Sequence, residues 1–130
     1  MSNPHILIGS PTAAPYAYCL PEWVKNVHAF TYRDIKVILV DNSKDADYDK
    51  TIAAQGIQAL KYKAPKGETL RETLAHSRNM LRTILLQENY NYFLSLEQDI
   101  LPPVDVIERL LQHDKPVVSA VYYKYFTFRH

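Results

Sequence analysis

The sequence holds a single cysteine, Cys19, which excludes an intrachain disulfide, and no Cys/His spacing suggests zinc. No apolar run approaches the roughly 20 residues that span a bilayer, so no transmembrane segment is expected. Met1-Ser2-Asn3-Pro4-His5 lacks the basic start and apolar stretch of a signal peptide. A soluble, cytoplasmic protein is the expectation. Charge of either sign is not in excess: Lys+Arg is 15, Asp+Glu is 14 and the net charge is +1. Nucleic-acid binders carry a clear basic surplus, so no nucleic-acid partner is expected. A nucleotide stays open, because one or two placed cations suffice for a diphosphate.

What is present points to a packed domain. Hydrophobic residues make up 47% and charged residues 22% of 130 residues, which suits one globular domain over residues 1–130. There are ten tyrosines, and five aromatics crowd Tyr122 to Phe128. That segment is expected to pack in a core or an interface, including one between copies in a homo-oligomer. A sugar-stacking or partner surface is the alternative.

Apolar runs alternate with helical patterns along the chain. His5-Ile6-Leu7-Ile8, Lys36-Val37-Ile38-Leu39-Val40, Ile57 to Tyr62, Tyr92 to Leu96 and Pro116 to Tyr122 read as five strands. Nearly continuous apolar runs are expected of parallel strands covered on both faces. Between them, helices are expected from Pro21 to about His28, from Asp47 to Gln55 before Gly56, and from about Glu68 to Glu88. Leu70, Leu74, Ser77, Leu81 and Leu85 form one stripe on the longest. A fourth helix opens at Pro102-Pro103 and carries Ile107, Leu110 and Leu111. This order predicts a three-layer α/β/α fold with a mostly parallel sheet.

Ligands of open parallel sheets bind beyond the carboxyl ends of the strands. That rule selects Ser10-Pro11-Thr12, Asp41-Asn42-Ser43, Glu97-Gln98-Asp99 and the stretch after Tyr122. On an extended backbone Glu97 and Asp99 share a side and Gln98 faces away. Two converging carboxylates suit Mg²⁺ or Mn²⁺ bound with substrate phosphates, or else form a solvated acidic turn. Arg78 lies about 40° from Leu74 around its helix and borders the buried stripe. It is expected to meet a phosphate or base edge, or to pair structurally with Asp41 or Asp99. Asn79 offers a second polar contact. Asp41 either accepts a hydrogen bond from a base or ribose, or caps its own turn. Lys61, Lys63 and Lys66 are expected to be solvated, and His76 to be a surface residue.

In order, these pieces are Ile6-Leu7-Ile8-Gly9-Ser10-Pro11-Thr12, Val37-Ile38-Leu39-Val40-Asp41-Asn42-Ser43, Ala75-His76-Ser77-Arg78-Asn79 and Tyr92-Phe93-Leu94-Ser95-Leu96-Glu97-Gln98-Asp99. From about Ile6 to Tyr123 the chain resembles the amino-terminal part of family-two-like GT-A glycosyltransferases. The resemblance implies the GT-A (Rossmann-like) nucleotide-diphospho-sugar transferase fold. It implies a UDP- or GDP-sugar donor contacted by Ser10, Thr12, Asp41, Asn42, Arg78 and Asn79, and an acceptor it does not identify. Asp99, with Glu97 in place of the usual Asp, would hold Mn²⁺ or Mg²⁺ on the diphosphate. Such enzymes usually continue past the point where this chain stops, so the expectation is a fragment or a minimal domain whose acceptor site comes from elsewhere.

A non-catalytic nucleotide- or sugar-binding module is the alternative function. A nucleotidyltransferase is disfavoured, because Gly9-Ser10-Pro11-Thr12 offers no cation for a phosphate loop. A structural assembly protein using the aromatic segment is the last reading.

Overall fold

The computed structural model describes residues 3–44 and 46–121. Strands β1 (Ile6–Thr12), β2 (Ile35–Asp41), β3 (Gln58–Lys61) and β4 (Tyr92–Ser95) form one sheet in the order β3-β2-β1-β4. Every neighbouring pair is parallel. Helices α1 (Leu20–His28), α2 (Tyr48–Ala54), α3 (Leu70–Gln87) and α4 (Val106–Leu111) connect them, and a 3₁₀ turn spans Ala14–Tyr18.

Strand alternation divides the core in two. Ile6, Ile8 and Leu39 pack with Leu20, Trp23, Tyr48, Ile52 and Ile107 on the side of α1, α2 and α4. Leu7, Ile38 and Val40 pack with Leu81 of α3 on the other side. Both sheet faces are therefore covered, as expected of an α/β protein with apolar parallel strands. Gly9 lies between the layers: a Cβ there would sit 2.7 Å from the Ile38 carbonyl oxygen and 3.0 Å from Leu81 Cδ2.

Several expected boundaries shift. Strand β1 runs on through Ser10, Pro11 and Thr12, because these residues stay in register with Leu39, Val40 and Asp41. Pro11 is tolerated because β4 has already ended; its last pair with β1 is Gly9 with Ser95. Helix α4 starts at Val106, not at Pro102. The Pro102 carbonyl accepts from Asn26 Nδ2 at 3.0 Å, and the Val104 carbonyl accepts from the Thr31 amide at 2.9 Å. Those ties to the end of α1 hold the prolines outside the helix.

The fifth strand does not form over residues 116–121, and Tyr122 with the aromatic segment lies outside the described residues. Val117 and Val121 are 88% and 91% exposed. Strand preference depends on packing against a neighbouring strand, and these two side chains stand in solvent. The stripe on α3 is also shorter than expected. Ser77 and Leu81 are buried, whereas Leu70 is 72% exposed.

Candidate functional site

The sheet order places a topological switch between β1 and β4. From β1 the chain moves outward through β2 to β3, then returns to add β4 on the opposite side. The carboxyl edge at such a switch is where the connections part and leave a crevice. A cleft of about 200 Å³ lies there. Pro11 and Thr12 supply the β1 end, Asn42 the β2 end, and Glu97 and Gln98 the segment after β4. Leu70, Leu74 and Arg78 form the α3 wall, and Tyr16 of the 3₁₀ turn stands at the rim.

The side chains sort by strand face. Thr12 follows Ile6 and Ile8 toward α1 and α2. Its hydroxyl is buried beside the Tyr48 phenol. Burial raises the Tyr48 pKa above its ordinary value; the neighbouring Thr12 hydroxyl opposes this and the charge of Asp41 adds to it.

Asp41 lies on the same face, is fully buried and does not line the cleft. Its Oδ1 accepts from the Ser43 amide at 2.9 Å and from Ser43 Oγ at 2.6 Å. Its Oδ2 accepts from Lys61 Nζ at 2.8 Å, and Lys61 also donates to the Ser43 carbonyl at 3.0 Å. Lys61 is therefore not a solvated charge. It is the register partner of Asp41 on β3 and half-buried against it. Lys63 and Lys66 are exposed, as expected.

Asn42 points to the opposite face. Its backbone amide donates to the Thr12 carbonyl at 2.9 Å, and its Nδ2 donates to Ser77 Oγ at 3.2 Å. Ser10 is buried, accepts from Gln98 Nε2 at 2.6 Å and donates to the Pro11 carbonyl at 3.2 Å. Gln98 thus faces inward and fastens the acidic segment to β1, while Glu97 and Asp99 are exposed. The backbone is not extended there: the Ile100 amide donates to the Glu97 carbonyl at 3.2 Å and closes a turn around Gln98 and Asp99, so the acidic-turn alternative holds and the two acids do not share a strand face.

Arg78 is more exposed than its helical position implied. Its side chain is 53% exposed and its Nη2 lies 3.8 Å from Glu97 Oε1. The partner is Glu97, neither Asp41 nor Asp99. Asn79 is exposed and does not line the cleft. Asp99 sits on the side of the 3₁₀ turn. The Tyr18 pKa is raised first by its neighbour Cys19, then by burial and by the charge of Asp99. Among the described residues no three His, Cys, Asp or Glu side chains converge as a metal-binding group.

The cleft therefore gathers Thr12, Asn42 and Arg78 beside Glu97, with Asp99 adjoining in sequence. Ser10 and Asp41 lie beneath it as supports. Sequence reasoning did not single out Tyr16, Lys61, Ser77 or Gln98 as site or supporting residues. No family model matches the chain, and none of the curated proteins is significantly similar to it.

Proposed function

We propose that the chain forms the donor-binding part of a glycosyltransferase that transfers a sugar from a UDP- or GDP-sugar. The observation that carries this reading is the mixed polar and charged cleft at the β1–β4 switch. Its volume is below the roughly 300–1,000 Å³ of a whole small-molecule site. It suits one end of a longer ligand, with base and ribose inside and the diphosphate extending over Glu97 and Asp99. Arg78 and Glu97 are both more than half exposed at 3.8 Å, a loose pair that an incoming diphosphate can replace at small cost.

Two exposed carboxylates are too few to cage a cation unaided. They fit Mg²⁺ or Mn²⁺ bound through one or two carboxylates together with substrate phosphates. Asp99 and Glu97 would hold it, and when bound it would stabilise charge on the departing nucleoside diphosphate.

The test is thermal unfolding with UDP or GDP and Mn²⁺. Ligand at about a hundred times its Kd adds about 2.7 kcal/mol, which raises Tm by about 10 °C in a domain of this size. Asp99→Ala is expected to abolish that rise without lowering the Tm of the free protein. Absence of a shift with either nucleotide would sink the proposal. The second reading, a binding module that does not transfer sugar, draws on the engagement of Glu97 by Arg78. It predicts the shift with no sugar release in a mass-spectrometric product screen.

A further inference from the structure

The hydrogen-bond logic around Asn42 determines what that residue can offer a ligand. Ser77 is fully buried in α3, and its single hydroxyl proton is donated to the Thr73 carbonyl at 2.8 Å. Ser77 Oγ can therefore only accept, and it accepts from Asn42 Nδ2 at 3.2 Å. The flipped amide would oblige Ser77 to turn its one proton away from the closer Thr73 carbonyl. The amide orientation of Asn42 thus follows from a group behind it. Its Oδ1 accepts from none of the described residues, and Asn42 lines the cleft. The backbone is held as well, by the Asn42 amide on the Thr12 carbonyl and by the Asp41–Ser43–Lys61 cluster on either side.

We infer that Asn42 is a specificity-determining residue whose Oδ1 reads a neutral hydrogen-bond donor on the ligand. On the nucleotide reading, on which this rests, the donor is either the ring N–H of an imide-type base or a ribose hydroxyl. A ring nitrogen without a proton finds no donor at this position.

Titration calorimetry with UDP and with GDP, each with Mn²⁺, tests the assignment on wild type, Asn42→Ala and Ser77→Ala. Loss of one hydrogen bond weakens binding by about five- to tenfold, the result expected for Asn42→Ala. Ser77→Ala is expected to weaken it by about two- to threefold, since the amide then rotates freely. The source of the donor is identified with N3-methyl-UDP and with 2′- and 3′-deoxy-UDP. The analogue that lacks the donor is expected to bind wild type more weakly than UDP, and Asn42→Ala no more weakly than UDP. Equal UDP affinity of wild type and Asn42→Ala would overturn the inference and leave the nucleotide reading standing. So would equal binding of UDP and its three analogues to wild type, a result that needs no variant to fold. If wild type binds neither UDP nor GDP, both the inference and the reading it rests on fall.

Discussion

Asp41 and Lys61 face each other on adjacent strands, one fully buried and the other about one-quarter exposed. Three donors meet the carboxylate, two from Ser43 and one from Lys61, so the cost of burying its charge is met locally. Removing the ammonium alone would strand a buried carboxylate, which costs about 3 kcal/mol or more. Lys61→Met is accordingly expected to lower the urea midpoint markedly, whereas Lys61→Arg retains most of the stability. A loss under about 0.5 kcal/mol in Lys61→Met would show that water, not Lys61, compensates the charge. The same pair bears on function, because an acid already met by three donors supports the turn beneath the cleft.

At the scale of the element, α3 links the cleft to the core. Its start is marked in the sequence: Thr69 accepts from the Glu72 amide at 3.2 Å, and its hydroxyl donates to the Glu72 carboxylate at 2.8 Å. Behind that cap, Glu68 accepts from the Tyr62 phenol at 2.9 Å and from Thr73 Oγ1 at 2.8 Å. The first turns of α3 are thereby tied to the end of β3, and Leu70, Leu74 and Arg78 are carried along the cleft wall. Thr69→Ala removes the cap and is expected to cost about 1 kcal/mol. Amide hydrogen exchange should rise in the first turn of α3, including Glu72 and Thr73, and stay unchanged around Leu81. Uniform acceleration along α3 would count against local capping.

Over the whole molecule, the two faces of the sheet carry different loads. One seats the larger core under α1, α2 and α4; the other holds α3 and opens into the cleft. Tyrosines are spread through both. Burial raises the pKa of Tyr32, Tyr48, Tyr62 and Tyr90 above the ordinary 10.0. A group whose pKa is higher folded than unfolded keeps its contribution below the unfolded value and loses it as pH rises through the folded one. Stability is therefore expected to be flat in this respect up to about pH 10 and to fall above it. Tyr48→Phe should flatten part of that fall in urea titrations between pH 9 and 11. An unchanged alkaline slope would remove Tyr48 from the account.

Strand order along the chain, helix positions and the parallel sheet were legible in the sequence. Unbroken runs such as Val37 to Val40 and spacings such as Ser77 to Leu81 follow from periods that each residue carries locally. The extended backbone expected at Glu97 to Asp99 was not realised, because β4 ends at Ser95 and the chain turns there. Partnership was not legible. Sequence alone could place Asp41 at a strand end, but the register that brings Lys61 to it exists only once β3 lies beside β2. Arg78 had a helical angle but no distance to Glu97 until β4 joined β1. Pro116 to Val121 had strand character, yet a strand is realised only against a neighbour. Local periodicity is a property of the chain, whereas a pair of side chains 20 residues apart is a property of packing.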